Sequence, residues 1–204
     1  MLERGILSIP LILTLSRILL GPVFVLVYSY YQELGISFVL LPYVLLALAA
    51  VSELSDVFDG ALARKMNTVT DLGKLLDPMA DTIFRLSVLL SFTQGVVGLP
   101  VLLVALFFYR DTVIGTLRSL CALKGVALAA RPSGKIKAVI QAAVGFFIML
   151  MMIPFSLEFI DLEQLQTLSF YAVSLSAVYT LYSGLEYILA YRQHIMKSLG
   201  FSAS

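Results

Sequence analysis

Residues 53–81 read ELSDVFDGALARKMNTVTDLGKLLDPMAD, and apolar sequence flanks them on both sides. Asp56, Asp59, Asp77 and Asp81 fall at the ends of two consecutive apolar stretches, with helical composition running through both acidic segments. At about 100° per residue, Asp56 and Asp59 lie about 60° apart and Asp77 and Asp81 about 40° apart. Each helix therefore offers a carboxylate pair on one face. The short connection 65–71 predicts that the two helices are antiparallel neighbours whose acidic pairs converge at similar depth. In a membrane each aspartate at a helix centre costs about 2.5 to 3.5 kcal/mol, so four uncompensated ones cost on the order of 10 kcal/mol. Something must therefore compensate them.

Four converging oxygen ligands with no His or Cys nearby suit Mg²⁺ or Mn²⁺ rather than zinc, and two ions can be held. Gly60, Ala63 and Gly73 keep bulk away from the acidic faces, and Arg64 carries a planar fork suited to phosphate. Together these describe a site for a pyrophosphate bearing a base. A single acidic pair near a helix end is ordinarily a solvated terminus, and glycines there ordinarily allow close helix packing. Four aspartates with two glycines, an alanine and an arginine at fixed offsets go beyond that reading.

Outside this stretch the chain is as apolar as a membrane protein. Of 204 residues 60% are hydrophobic and 13% charged, against roughly 45 to 50% and about 25% in soluble domains. Mean hydropathy is +0.96. Apolar stretches at 6–31, 37–55, 81–97, 99–123, 138–157 and 165–190 predict six spans, with the third beginning early, near Leu72. Lys and Arg occur at the N-terminus (Arg4), after span two (Arg64, Lys65, Lys74), after span four (Lys124, Arg131, Lys135, Lys137) and after span six (Arg192, Lys197). The alternate segments 32–36, 94–98 and 158–164 carry none. This alternation predicts an all-α integral membrane bundle of six transmembrane helices with both termini cytoplasmic, a single domain over 1–204. The net charge of +1 leaves no surplus for nucleic-acid binding. Cys121 stands alone in an apolar run and is expected to pack as a small apolar residue. His194, the sole histidine, is expected to be solvated. No secretory cleavage site follows the first apolar run, so span one is expected to remain in the protein.

The string matches the signature DxxDGxxARx8GxxxDxxxD at Asp56, Asp59, Gly60, Ala63, Arg64, Gly73, Asp77 and Asp81, and by it the chain resembles the CDP-alcohol phosphatidyltransferases. The resemblance covers most of the chain, since that family has six transmembrane helices with cytoplasmic termini. It implies that Asp56, Asp59, Asp77 and Asp81 are metal ligands, with Asp81 also the general base. Gly60, Ala63, Arg64 and Gly73 would accept the cytidine diphosphate part of CDP-diacylglycerol. Two ions, Mg²⁺ or Mn²⁺, and a homodimer are implied as well. Within the family, ILTLSRILLGPVFVL in span one, DLGKLLDPMAD, RDTVIGTLRSL in span four and GKIKAVIQ opening span five are similar to members whose acceptor is glycerol 3-phosphate. Thr82 departs from that branch, which commonly has Lys after the last Asp, so inositol phosphate, serine, choline or phosphatidylglycerol remain alternative acceptors. The lack of a cleavable presequence points to a bacterial inner membrane, with the site facing the cytoplasm; a mature organellar form is the other reading.

An acceptor bearing its own phosphate needs cations apart from Arg64. Arg110 and Arg118 in span four, with Lys135 and Lys137 opening span five, are the candidates; Arg17 and Arg85 are further intramembrane cations that either join them or balance Asp111, Glu53 and the catalytic carboxylates. Thr14 is expected to bond its own helix. Tyr179, Tyr182 and Glu186 approximate helical spacing and are read as bundle packing rather than a dimer contact. A divalent-cation transporter is the competing class, because intramembrane carboxylates also mark ion paths. Against it, the outer halves of the spans hold no matching acidic series.

Overall fold

A computed structural model describes the backbone of residues 9–65, 71–123, 125, 128–129 and 131–199, and side chains over 14–56, 58, 76–123, 125, 128–129 and 131–196. Six α-helices follow one another, with no strand among the described residues: α1 (Ile9–Ser29), α2 (Leu41–Lys65), α3 (Asp71–Ser91), α4 (Val101–Leu123), α5 (Pro132–Ser156) and α6 (Leu162–Leu199). Local chemistry sets several of the boundaries. Pro132 opens α5, where its missing N–H costs no helical bond. Asp161 caps α6: its Oδ1 accepts from the Gln164 N–H at 2.7 Å while Gln164 Oε1 accepts from the Asp161 N–H at 3.2 Å.

The helices form two groups of three. In the first, α1 packs against both α2 and α3; in the second, α6 packs against both α4 and α5; α2 meets α5, and α3 meets α4 and α5. Among the described residues the α2 and α3 backbones approach closely at few points, their side chains meet at Glu53 and Arg85, and α1 packs on both helices. Gly21 shows why α1 can come so close to α3: a Cβ there would stand 2.8 Å from Ser87 Oγ. Contacts along this pair keep a steady register, from Thr14 with Asp77 to Tyr28 with the carbonyl of Gln94, so α1 and α3 run in the same direction.

The apolar core lies toward the end of the bundle away from the acidic residues. Phe24 meets Phe84 and Phe92 edge to face, with ring centroids 6.0 and 6.2 Å apart, and Tyr28 meets Phe92 at 5.5 Å. Leu45, Met149, Met152, Leu165 and Phe107 complete it from the other four helices. A smaller cluster of Ile114, Cys121, Leu128, Tyr187 and Ile195 sits between α4 and α6, so Cys121 is buried as expected.

Among the described residues two helical stretches, Pro132–Ser156 and Leu162–Met196, are long and apolar enough to cross a membrane. Charged residues interrupt α3 and α4 internally, at Asp77, Asp81 and Arg85 and at Arg110, Asp111 and Arg118. α3 ends at Ser91, six residues before the expected limit, because the chain turns through Gly95 and Gly98 in the left-handed region. α6 continues to Leu199, beyond the apolar limit at 190.

Candidate active site

The acidic half of the bundle is organised by α1. Arg17 is 1% exposed, and its Nη1 donates to both Asp56 Oδ1 on α2 and Asp81 Oδ1 on α3. Its Nη2 lies 3.7 Å from Asp77 Oδ1, the same oxygen that accepts a 2.7 Å hydrogen bond from Thr14 Oγ1. Three carboxylates from two helices are thus gathered around one guanidinium supplied by a third. Thr14 and Arg17, three residues apart, share a helical face, which is why both reach the same cluster. The Thr14 hydroxyl thus reaches across to α3.

Burial is graded across this group. Asp56 and Asp77 are half-buried, Asp81 is 22% exposed, and Arg17 is sealed beneath them. A guanidinium removed from water needs anionic partners on several sides, and a planar fork can serve more than one carboxylate at once. A second arginine approaches from α3: Arg85 Nη2 lies 3.8 Å from Asp81 Oδ2 and its Nε 3.8 Å from Glu53 Oε1.

Among the described residues no three acidic side chains already stand as a ready metal-binding group, since those three are drawn onto Arg17. The donor set still suits a hard divalent cation: it is made of carboxylate oxygens, it reaches water, and one buried guanidinium does not cancel three negative charges. Asp59, Gly60, Ala63 and Arg64 lie in α2 and Gly73 in α3, but their side chains fall outside the described residues.

The expected acceptor cations divide into pairs and singles. Lys137 Nζ lies 2.6 Å from Asp111 Oδ2, and Arg110 Nη1 lies 2.9 Å from Asp111 Oδ1, so one buried aspartate joins α4 to α5. Arg110 also donates from Nη2 to Ser183 Oγ on α6 at 3.0 Å. Gly184 makes room for this arm, because a Cβ there would stand 3.1 Å from Arg110 Cγ. Arg118 places its guanidinium 5.6 Å from the centroid of the Tyr187 ring. Lys135 is exposed on α5.

One partnership escaped the sequence reading. Glu186 is bound by Arg131 Nε at 2.5 Å and by the Ser133 hydroxyl, tying the start of α5 to α6. For Arg17 the sequence leaves two roles open, acceptor cation or counter-ion to the catalytic carboxylates, and the structure puts it on the carboxylates. Tyr179 and Tyr182 touch ring to ring at 5.8 Å, and His194 is exposed as expected.

The profile of one family, CDP-alcohol phosphatidyltransferase, matches residues 7–192. The CDP-diacylglycerol--glycerol-3-phosphate 3-phosphatidyltransferase of Bacillus subtilis is 30% identical over 186 residues, covering 88% of this chain and 93% of its own. Proteins of the same name from Rickettsia typhi and Salmonella typhimurium are 31% and 32% identical; each alignment covers 66% of this chain, and 71% and 72% of theirs. Matched along nearly its whole length, and carrying the gathered aspartates of the signature, the chain belongs to the CDP-alcohol phosphatidyltransferase family.

Proposed function

We propose that this phosphatidyltransferase moves the phosphatidyl group of CDP-diacylglycerol to glycerol 3-phosphate, forming phosphatidylglycerophosphate and CMP. The observation that carries the reading is the gathering of Asp56, Asp77 and Asp81, from two helices, around Arg17. Family membership and the names of the three relatives support the donor and the acceptor.

Asp81 takes the proton of the acceptor's primary hydroxyl. That oxygen then attacks the phosphorus bearing diacylglycerol, the bond from this phosphorus to the CMP oxygen breaks, and CMP departs. Arg17 holds Asp56 and Asp81 in one place before substrate arrives, so the base needs little reorientation during the reaction. Gly60, Ala63, Arg64 and Gly73 receive the cytidine diphosphate. Arg110, Arg118, Lys135 and Lys137 receive the acceptor's phosphate. Asp56, Asp59, Asp77 and Asp81 would hold two divalent ions, Mg²⁺ or Mn²⁺, which would neutralise charge on the pyrophosphate and the leaving CMP.

All six helices cross the bilayer in this reading, with both termini and the active site on the cytoplasmic side of a bacterial inner membrane, and the protein works as a homodimer. The shortest helices have 21 residues, about 30 Å at 1.5 Å per residue, which matches a hydrocarbon core.

The test is an acceptor panel with radiolabelled CDP-diacylglycerol and Mg²⁺ or Mn²⁺, following CMP and lipid product. Glycerol 3-phosphate should give the main product. Product from serine, inositol phosphate, choline or phosphatidylglycerol, with none from glycerol 3-phosphate, overturns the acceptor.

A further inference from the structure

Behind Asp81 the bundle forms a small, partly open cavity that the reaction above does not use. It holds about 20 Å³ between α2, α3 and α5, and Glu53, Arg85 and Gln141 are the polar side chains of an otherwise apolar wall. Gln141 is 3% exposed, and among the described residues neither its Oε1 nor its Nε2 has a hydrogen-bond partner. The Nε of Arg85 is likewise buried without a hydrogen bond among them.

Buried carboxamides and guanidinium nitrogens are normally satisfied, by protein or by water. A water needs about 10 to 15 Å³ and two to four polar partners, and this cavity offers both. Arg85 stands 3.8 Å from Glu53 on one side and 3.8 Å from Asp81 on the other. Both separations are beyond a direct hydrogen bond and within reach of a bridging water.

We propose that Gln141 and one internal water lock Arg85 between Glu53 and Asp81, which makes Gln141 a positioning residue for the Asp81 carboxylate. The water accepts from Arg85 Nε and Gln141 Nε2 and donates to Gln141 Oε1 and Glu53. Arg85 is then unable to swing toward solvent, and its Nη2 faces Asp81 in a fixed direction. This rests on the reading of Asp81 as the base.

The experiment compares wild type, Gln141→Leu and Gln141→Asn as full-length proteins in mixed micelles, measuring kcat, acceptor KM, CDP-diacylglycerol Kd and Tm. Leu fills the volume and removes both polar ends; Asn keeps them and leaves room for a second water. Gln141→Leu should lower kcat about tenfold with KM and donor Kd within about twofold of wild type and Tm not lowered, while Gln141→Asn recovers most of the rate. An unchanged kcat in Gln141→Leu, with or without a raised Tm, overturns the proposal. So does a joint fall of kcat, donor affinity and Tm that Gln141→Asn fails to rescue. Failure of the underlying reading looks different: Asp81→Asn that still turns over removes the base itself, whatever Gln141 does. A wild type that prefers another acceptor changes only the alcohol used in the comparison.

Discussion

Lys137 Nζ on α5 stands 2.6 Å from Asp111 Oδ2 on α4, with the two side chains only 7% and 6% exposed. Arg110 shares the same carboxylate, so one buried anion balances two cations. Removing the anion leaves two desolvated cations facing each other, a change that costs about 3 to 5 kcal/mol in buried pairs. Asp111→Asn should therefore lower Tm markedly in detergent, as read by thermal unfolding. A Tm equal to wild type shows that Asp111 does not hold these helices together.

Arg17 serves three carboxylates at once, which a lysine ammonium cannot do with the same geometry. Arg17→Lys is expected to keep the protein folded and lower CMP release by about tenfold or more. Arg17→Met, which leaves the acidic cluster uncompensated, should lower Tm as well. Equal activity of wild type and Arg17→Lys means that charge alone suffices at this point.

Asp81→Asn keeps the size of the side chain and an oxygen facing Arg17 but removes the proposed base. Turnover should fall by about 10²- to 10⁴-fold while CDP-diacylglycerol still binds, measured as CMP release and donor Kd. Substantial residual turnover assigns the proton to another group.

Arg118 and Lys135 are the two acceptor candidates with no carboxylate partner among the described residues. Arg118→Ala and Lys135→Ala should each raise the KM for glycerol 3-phosphate with kcat little changed, as expected for lost ground-state binding. If initial-rate measurements give unchanged KM for both, the phosphate is held elsewhere.

The six helices were legible because the apolar runs are long and their breaks are marked by Gly, Pro and charged residues. Helix ends were less so. The start of α3 near Leu72 was legible from its helical composition, one residue from the observed Asp71, but its end at Ser91 and the polar far end of α6 at Leu199 were not. The aspartates of the candidate site stood out in one local string, with offsets that bring each pair onto one face. Their partner did not: Arg17 lies 39 residues from Asp56 and 64 from Asp81, and periodicity carries no information across such a distance. The short connection between α2 and α3 suggested neighbouring helices, but a loop length limits only how far apart two helix ends lie, and it does not show that α1 packs on both, closely on α3 at Gly21.

The sequence by itself determined the helical architecture, the apolar character and the acidic pairs, because hydrophobic patterning and helical offsets act between residues a few positions apart. Only the tertiary structure decided which cation meets which carboxylate: Arg17 with the aspartate cluster, Arg85 between Glu53 and Asp81, Lys137 with Arg110 on Asp111. A buried charge must find its opposite wherever the packed helices bring one within reach, and that depends on the packing of all six helices together.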